Sequence, residues 1–223
     1  MTTRNCVCKC VGLTDRVFCF IRQAIVELVL EHHFGQGSYA VRLTKAWVGL
    51  KTWASDNKIS LTHPKFTRAR LQWENNSQYP ALKSKAYNAR VMVVWMAHVT
   101  HDNVARSSPP NEKQIYRHAL FANLAKFCQH LDKYPHLLSS EQASNLKSDL
   151  DNVLDCYTHL ATMALAASQC FYAFKPKFHQ LEHVAEDVII DELNPAWHWN
   201  FIDEDMMGKV KRMALRPFWP INK

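Results

Sequence analysis

Residues 139–174, SSEQASNLKSDLDNVLDCYTHLATMALAASQCFYAF, carry the longest unbroken apolar rhythm in the chain. Leu146, Leu150, Val153, Tyr157, Leu160, Ala164, Ala167, Phe171 and Phe174 alternate spacings of four and three, which keeps them on one stripe of an α-helix. The spacing predicts a single helix over about 139–174, capped by Ser139 or Ser140 and roughly 50 Å long at about 1.5 Å per residue. A helix of that length is a spine for the others. Ala161, Ala164, Ala166, Ala167 and Ser168 let a neighbour come close. The same stripe could be the seam of a homodimer through 146–174, but Leu154 and Leu165 widen it, which favours an internal core.

Working outward, the remaining segments also read as helices. Thr14 and Asp15 form an N-cap before Val17, Ile21, Ile25, Leu28 and Val29, predicting a helix over about 15–34 that Gly35 and Gly37 stop. Ser38 caps a second helix, with Leu43, Trp47, Leu50 and Ala54 as its stripe, ending near Asp56 and Asn57. Residues 58–79 form a polar, basic connection with one short turn around Phe66 to Trp73. Pro80 opens a helix to about His101, and a further helix spans about Asn111 to Tyr134. Pro176 and Pro195 bracket another, about 176–193, and a last one covers about 203–214. With five glycines among 223 residues, too few for a turn-rich sandwich or barrel, the expected fold is all-α: one multi-helix bundle over 14–215. Residues 1–13 are expected to be a flexible cysteine-containing terminus and 216–223 a tail.

Composition restricts the function classes. The formal charge is +7, yet residues 41–90 alone hold ten Lys or Arg against two acids, Asp56 and Glu74. Arg42, Lys45, Lys51, Lys65, Arg68, Arg70, Lys83, Lys85 and Arg90, interleaved with Trp47, Trp53, Trp73 and Tyr87, could draw DNA or RNA through phosphate contacts and base stacking. The competing reading is a solvated basic face. Seven cysteines is an odd count, and Cys6, Cys8 and Cys10 lack the second pair that a structural zinc site needs. Cys128, Cys156 and Cys170 sit in apolar runs as small buried residues would. The apolar run 17–30 is broken by Arg22 and Glu27 and is too short for a membrane span. The expectation is an intracellular protein, in nucleus or cytoplasm, with no membrane partner.

Residues able to do chemistry crowd into 175–215. His179 and His183 lie one turn apart with Glu182 between them, spelling H-Q-L-E-H. This matches the H-x-x-E-H of inverted zinc peptidases, in which Glu182 would activate the metal-bound water. Those enzymes take a further glutamate far downstream, whereas forty residues follow His183, so a pair of hydrogen-bonded helix histidines is the simpler reading. Joined to His198, Asp203, Glu204 and Asp205 across the Pro195 turn, the pair could instead hold a divalent ion, Mg²⁺ or Zn²⁺, in a metal-dependent hydrolase or nuclease.

KPKFHQLEHV at 175–184, followed by an aromatic turn and IDEDMMGKVKRMA at 202–214, resembles the C-terminal part of RNase H-like transposases carried by eukaryotic mobile elements. LTKAWVGLKTWASDNKIS at 43–60 and YPALKSKAYNARVMVVWMAHV at 79–99 are similar to the helical part of related element-derived chains. The resemblance covers about 38–215. It implies Glu204 as the helix-borne catalytic acid, with Asp203 and Asp205 as rivals, holding Mg²⁺ together with two strand-borne aspartates. Those partners are missing, since Asp56, Asp102, Asp132 and Asp149 fall in helices or helix ends. The resemblance therefore implies a non-catalytic fragment or remnant, with nucleic-acid binding through 41–90. A helical protein-interaction module is the third alternative.

Overall fold

The computed structural model describes residues 20–75, 79, 86–173 and 179–198, with backbone only for Ala86, His179, Gln180, Trp197 and His198. Among them there are helices and no strand. The first helix, α1, is described over 20–30, and its residues 20–29 are buried on every side. A helix apolar all round belongs in a core, and α1 takes Arg22, Gln23 and Glu27 in with it. It ends earlier than its periodicity predicts. Residues 31–34 form a turn in which His32 has φ 59°, and Gly35 and Gly37 follow at φ 88° and 121°.

Ser38 then caps α2 (Tyr39–Asp56) by accepting from Val41 N at 3.4 Å, as the sequence predicts. One face, Leu43, Ala46, Leu50 and Ala54, is buried. The segment after it contains the expected short turn: Leu71 N bonds Thr67 O at 3.0 Å and Trp73 N bonds Arg68 O at 3.0 Å. That segment is more than a connection, because Phe66, Leu71 and Trp73 are buried in the common core.

Four helices follow as a run of neighbours: α3 (Ala86–Ala105), α4 (Glu112–Lys133), α5 (Ser140–Ala166) and α6 (His179–Asp191). α4 packs on α3 and α5, and α5 packs on α6. Contacts at both ends show that consecutive helices run antiparallel. Arg90 near the start of α3 meets Asp132 near the end of α4, Asn103 meets Arg117, and Glu112 at the start of α4 reaches His159 late in α5. Both α4 and α5 begin with a capping box, Asn111 with Gln114 and Ser139 with Gln142. A 3-10 turn, Pro195–His198, closes the described part. The fully buried Asn194 fastens it, donating to Leu131 O at 3.0 Å and Tyr134 O at 2.9 Å.

The predicted spine is present as α5, the longest helix of the bundle, but it stops at Ala166 and not at Phe174. Ser168 turns left-handed at φ 53°, and Gln169 N bonds Ala164 O at 2.8 Å. The chain folds back, so that Tyr157 Oη donates to Ala173 O at 3.0 Å and Phe171 and Tyr172 are buried. Phe171 kept the heptad rhythm because it reaches the same core by a turn. The stripe faces inward, as the internal-core reading has it: Leu146, Leu150, Val153, Tyr157, Leu160 and Ala164 are all buried within the chain. No helix among the described residues is long and apolar enough to cross a membrane. The flexible terminus expected over 1–13, the parts of the expected helices before residue 20 and over 80–85, the expected helix over 203–214, the tail over 216–223 and the cysteines before residue 20 lie outside the described residues.

Candidate functional site

The structure divides the basic residues of 41–90 into two groups. Arg42 is buried, 7% exposed. Its guanidinium donates to Gly37 O at 3.0 Å and to Val29 O, and lies over the Tyr39 ring at 4.8 Å. It ties the end of α1 to the start of α2, which removes it from the candidate nucleic-acid ligands: a guanidinium bonded to buried carbonyls cannot also meet a phosphate. Arg68 is committed too, donating to Trp73 O at 3.0 Å and to Glu74 O while lying against Tyr39 and Trp73. Arg90 pairs with Asp132.

Lys45, Lys51, Lys58, Lys65 and Arg70 are exposed on α2 and the segment after it. Lys45 Nζ reaches Gln36 O at 3.4 Å, and no carboxylate among the described residues pairs with any of the five. Lys83 and Lys85 lie outside the described residues. Two hydrogen bonds at 3.3 Å, from Thr62 N and Oγ1 to Asn88 Oδ1, hold the segment on α3. Beneath it His63 is buried, its Nδ1 bonded to Pro64 O at 2.6 Å. Burial lowers its pKa, against the Pro64 bond and with the nearby Arg70, so it adds no charge to the face near neutral pH.

Stacking is corrected as a recognition mode for this face. Trp73 is 1% exposed and packs on Tyr39, and the half-buried Trp47 is edge-on to Phe66 at 5.7 Å. These rings face inward because large apolar surface is worth more in the core than in water. Tyr87 alone of the four interleaved aromatics is largely exposed, at 52%.

For the histidine and acid cluster, α6 carries the backbone of His179 and the side chains of Glu182 and His183. Glu182 is exposed, and His183 Nδ1 bonds Glu186 Oε2 at 3.2 Å, the local pairing expected of a helix histidine. His198 falls in the 3-10 turn, while Asp203, Glu204 and Asp205 lie outside the described residues. Among the described residues no group of three or more His, Cys, Asp or Glu is placed to hold a metal.

The densest polar assembly is one that sequence patterning missed. Arg117, fully buried on α4, donates to Glu31 at 3.0 and 2.5 Å, to Glu27 at 3.3 Å and to Asn103 at 3.0 Å. Lys113 forms an ion pair with Glu27, and the buried Tyr172 hydroxyl donates to Glu27 Oε2. Asn103 Nδ2 meets His33 Nδ1 at 3.2 Å. Burial alone would pull the Arg117 pKa down; the hydrogen bonds and charge of Glu31, with Tyr172 and Glu27, push it above its ordinary value instead, so it stays cationic. Burial, then the charge of Glu27, holds Tyr172 well above its ordinary range, so it stays a donor. Two acids face two bases in an assembly that seals α1, α3, α4 and the 167–173 turn together. One signal was available: Arg22 and Glu27 interrupt an apolar run, and charge on a buried helix implies a partner.

No protein-family model, curated protein or solved structure matches the chain.

Proposed function

We propose that the chain is a helical, non-catalytic nucleic-acid-binding module, a fragment or remnant of a transposase-like mobile-element protein, which meets the phosphate backbone of DNA or RNA with the exposed face of α2 and the segment behind it. The observation that carries this reading is the set of five cations, Lys45, Lys51, Lys58, Lys65 and Arg70, exposed on one stretch of the fold with no carboxylate of the described residues paired to them. Unneutralised cations at a surface release counterions from a polyanion when they bind it, so recognition is electrostatic and indifferent to sequence. The inward rings of Trp47 and Trp73 leave phosphates as the main target. Residues 175–215 contribute the resemblance to such proteins; in this reading they support no catalysis.

The test is a salt titration of binding to a short duplex and to a single strand of mixed sequence. Affinity should fall linearly on a log–log scale, and replacing Lys45, Lys51, Lys65 and Arg70 together by Ala should reduce the slope by about 0.9 per lost contact on the duplex. Binding that ignores salt, or that survives the fourfold substitution, would sink the reading.

A further inference from the structure

His130, on the α4 face toward α5, is no part of the basic face of α2. Its Nδ1–H donates to Asp149 Oδ2 at 2.7 Å, the carboxylate fixing which ring nitrogen carries the proton. Asp149 is 0% exposed. Its other oxygen lies 2.9 Å from Lys126 Nζ, as an ion pair out of hydrogen-bond line. Tyr134 stacks on the imidazole at 4.8 Å and 13°. The ring is thus held from two sides. Its Nε2 bonds no group of the described residues and is not an orphaned buried atom, so its lone pair points to water through the 18% of the side chain that is exposed. Lys126 and Lys133, four residues before and three after His130, lie on the same face of α4. The acid nearest in sequence, Asp132, is occupied by Arg90.

An imidazole with Nδ1 tied to a buried carboxylate and Nε2 open to water, on a helix face that also carries Lys126 and Lys133, is suited to accept an anionic electrophile. We propose that His130 Nε2 is a phosphoacceptor, taking a phosphoryl group from a small donor of the phosphoramidate class. The Nε2 lone pair forms the new N–P bond while the donor's P–N bond breaks and its protonated nitrogen leaves as ammonia. Nδ1 keeps its proton, and the positive charge that develops on the ring is held by Asp149. Lys126 and Lys133 offset the charge of the incoming phosphoryl oxygens.

The experiment incubates the full chain with potassium phosphoramidate and follows acid-labile phosphate by intact mass, mapping the site by peptide mass spectrometry under neutral conditions. The expected result is one phosphoryl group per chain, at His130, ahead of the other eleven histidines. Asp149→Asn should slow labelling of His130 by about 10-fold or more, the usual loss when a carboxylate that orients a histidine is removed. Lys126→Met, at an exposed position, should slow it less and leave the helical circular dichroism unchanged. Labelling spread over exposed histidines such as His98 and His101 with no preference for His130, or an unchanged rate in folded Asp149→Asn, overturns the proposal. Should Asp149→Asn fail to fold, the wild-type site map and Lys126→Met decide alone. Because the readout is on α4, its failure would leave the nucleic-acid reading of α2 untouched.

Discussion

The charge sealed between α1 and α4 and the charge carried on α2 and the 57–75 segment are made of the same kinds of side chain under opposite physics. Glu27, at 1% exposure, and Arg117, at 0%, have left water, and each recovers its lost hydration only through fixed partners. Lys45, Lys51, Lys65 and Arg70 are exposed and pair with no carboxylate among the described residues. The first set is therefore bound to structure and the second is available to a ligand. Arg42 and Arg68 show that exposure and partners decide the role: they belong to the basic run by sequence and to the scaffold by contact.

The comparison is broken most directly at Arg117. Arg117→Ala leaves Glu27 buried with Lys113 as its remaining cation and should cost about 3–5 kcal/mol in urea unfolding. A loss below about 1 kcal/mol would mean that the cluster is effectively hydrated, and the contrast with α2 would collapse. Tyr172→Phe removes one hydrogen bond to a charged acceptor without changing shape, and a loss of about 1.5–3 kcal/mol is expected from the same measurement.

A pH titration probes the edge of the cluster. Burial, then Arg106 and Arg117, lowers the His33 pKa from its ordinary 6.5. Burial, then His101, lowers that of His118. Well above pH 6.5 both imidazoles are neutral in folded and unfolded chains alike, so they contribute nothing there. As pH falls through 6.5 the unfolded chain takes up protons first, and stability should decline from there downward. His33→Gln should flatten the decline below about pH 6.5 in urea midpoints; an unchanged slope would place His33 outside the coupling. The smallest effect belongs to the other region. Lys51→Ala or Lys65→Ala should change unfolding free energy by no more than about 0.5 kcal/mol, while each weakens binding to nucleic acid at low salt.

Much of the fold was legible because helix starts are local. Ser38, Asn111 and Ser139 each accept from a backbone N–H three residues on, and no distant contact is needed to see it. Helix ends were read less well. Periodicity ran on past both helix ends, since Phe34 and Phe171 still pack on the core after the backbone has turned at His32 and Ser168. The basic face was legible as composition but not as geometry: nothing around Arg42 says that Val29 O lies within reach of its guanidinium. His130 and Asp149, nineteen residues apart on different helices, gave no signal at all.

By itself, then, the sequence determined the class of fold, the order of its helices and the excess of positive charge between 41 and 90, because caps, apolar spacing and charge counts act within a few residues. Tertiary structure alone decided which charges serve the scaffold and which meet the solvent. The fate of a charged side chain depends on how much water it loses and which partner replaces it, and Glu27 finds its partners on Lys113, Arg117 and Tyr172, far along the chain.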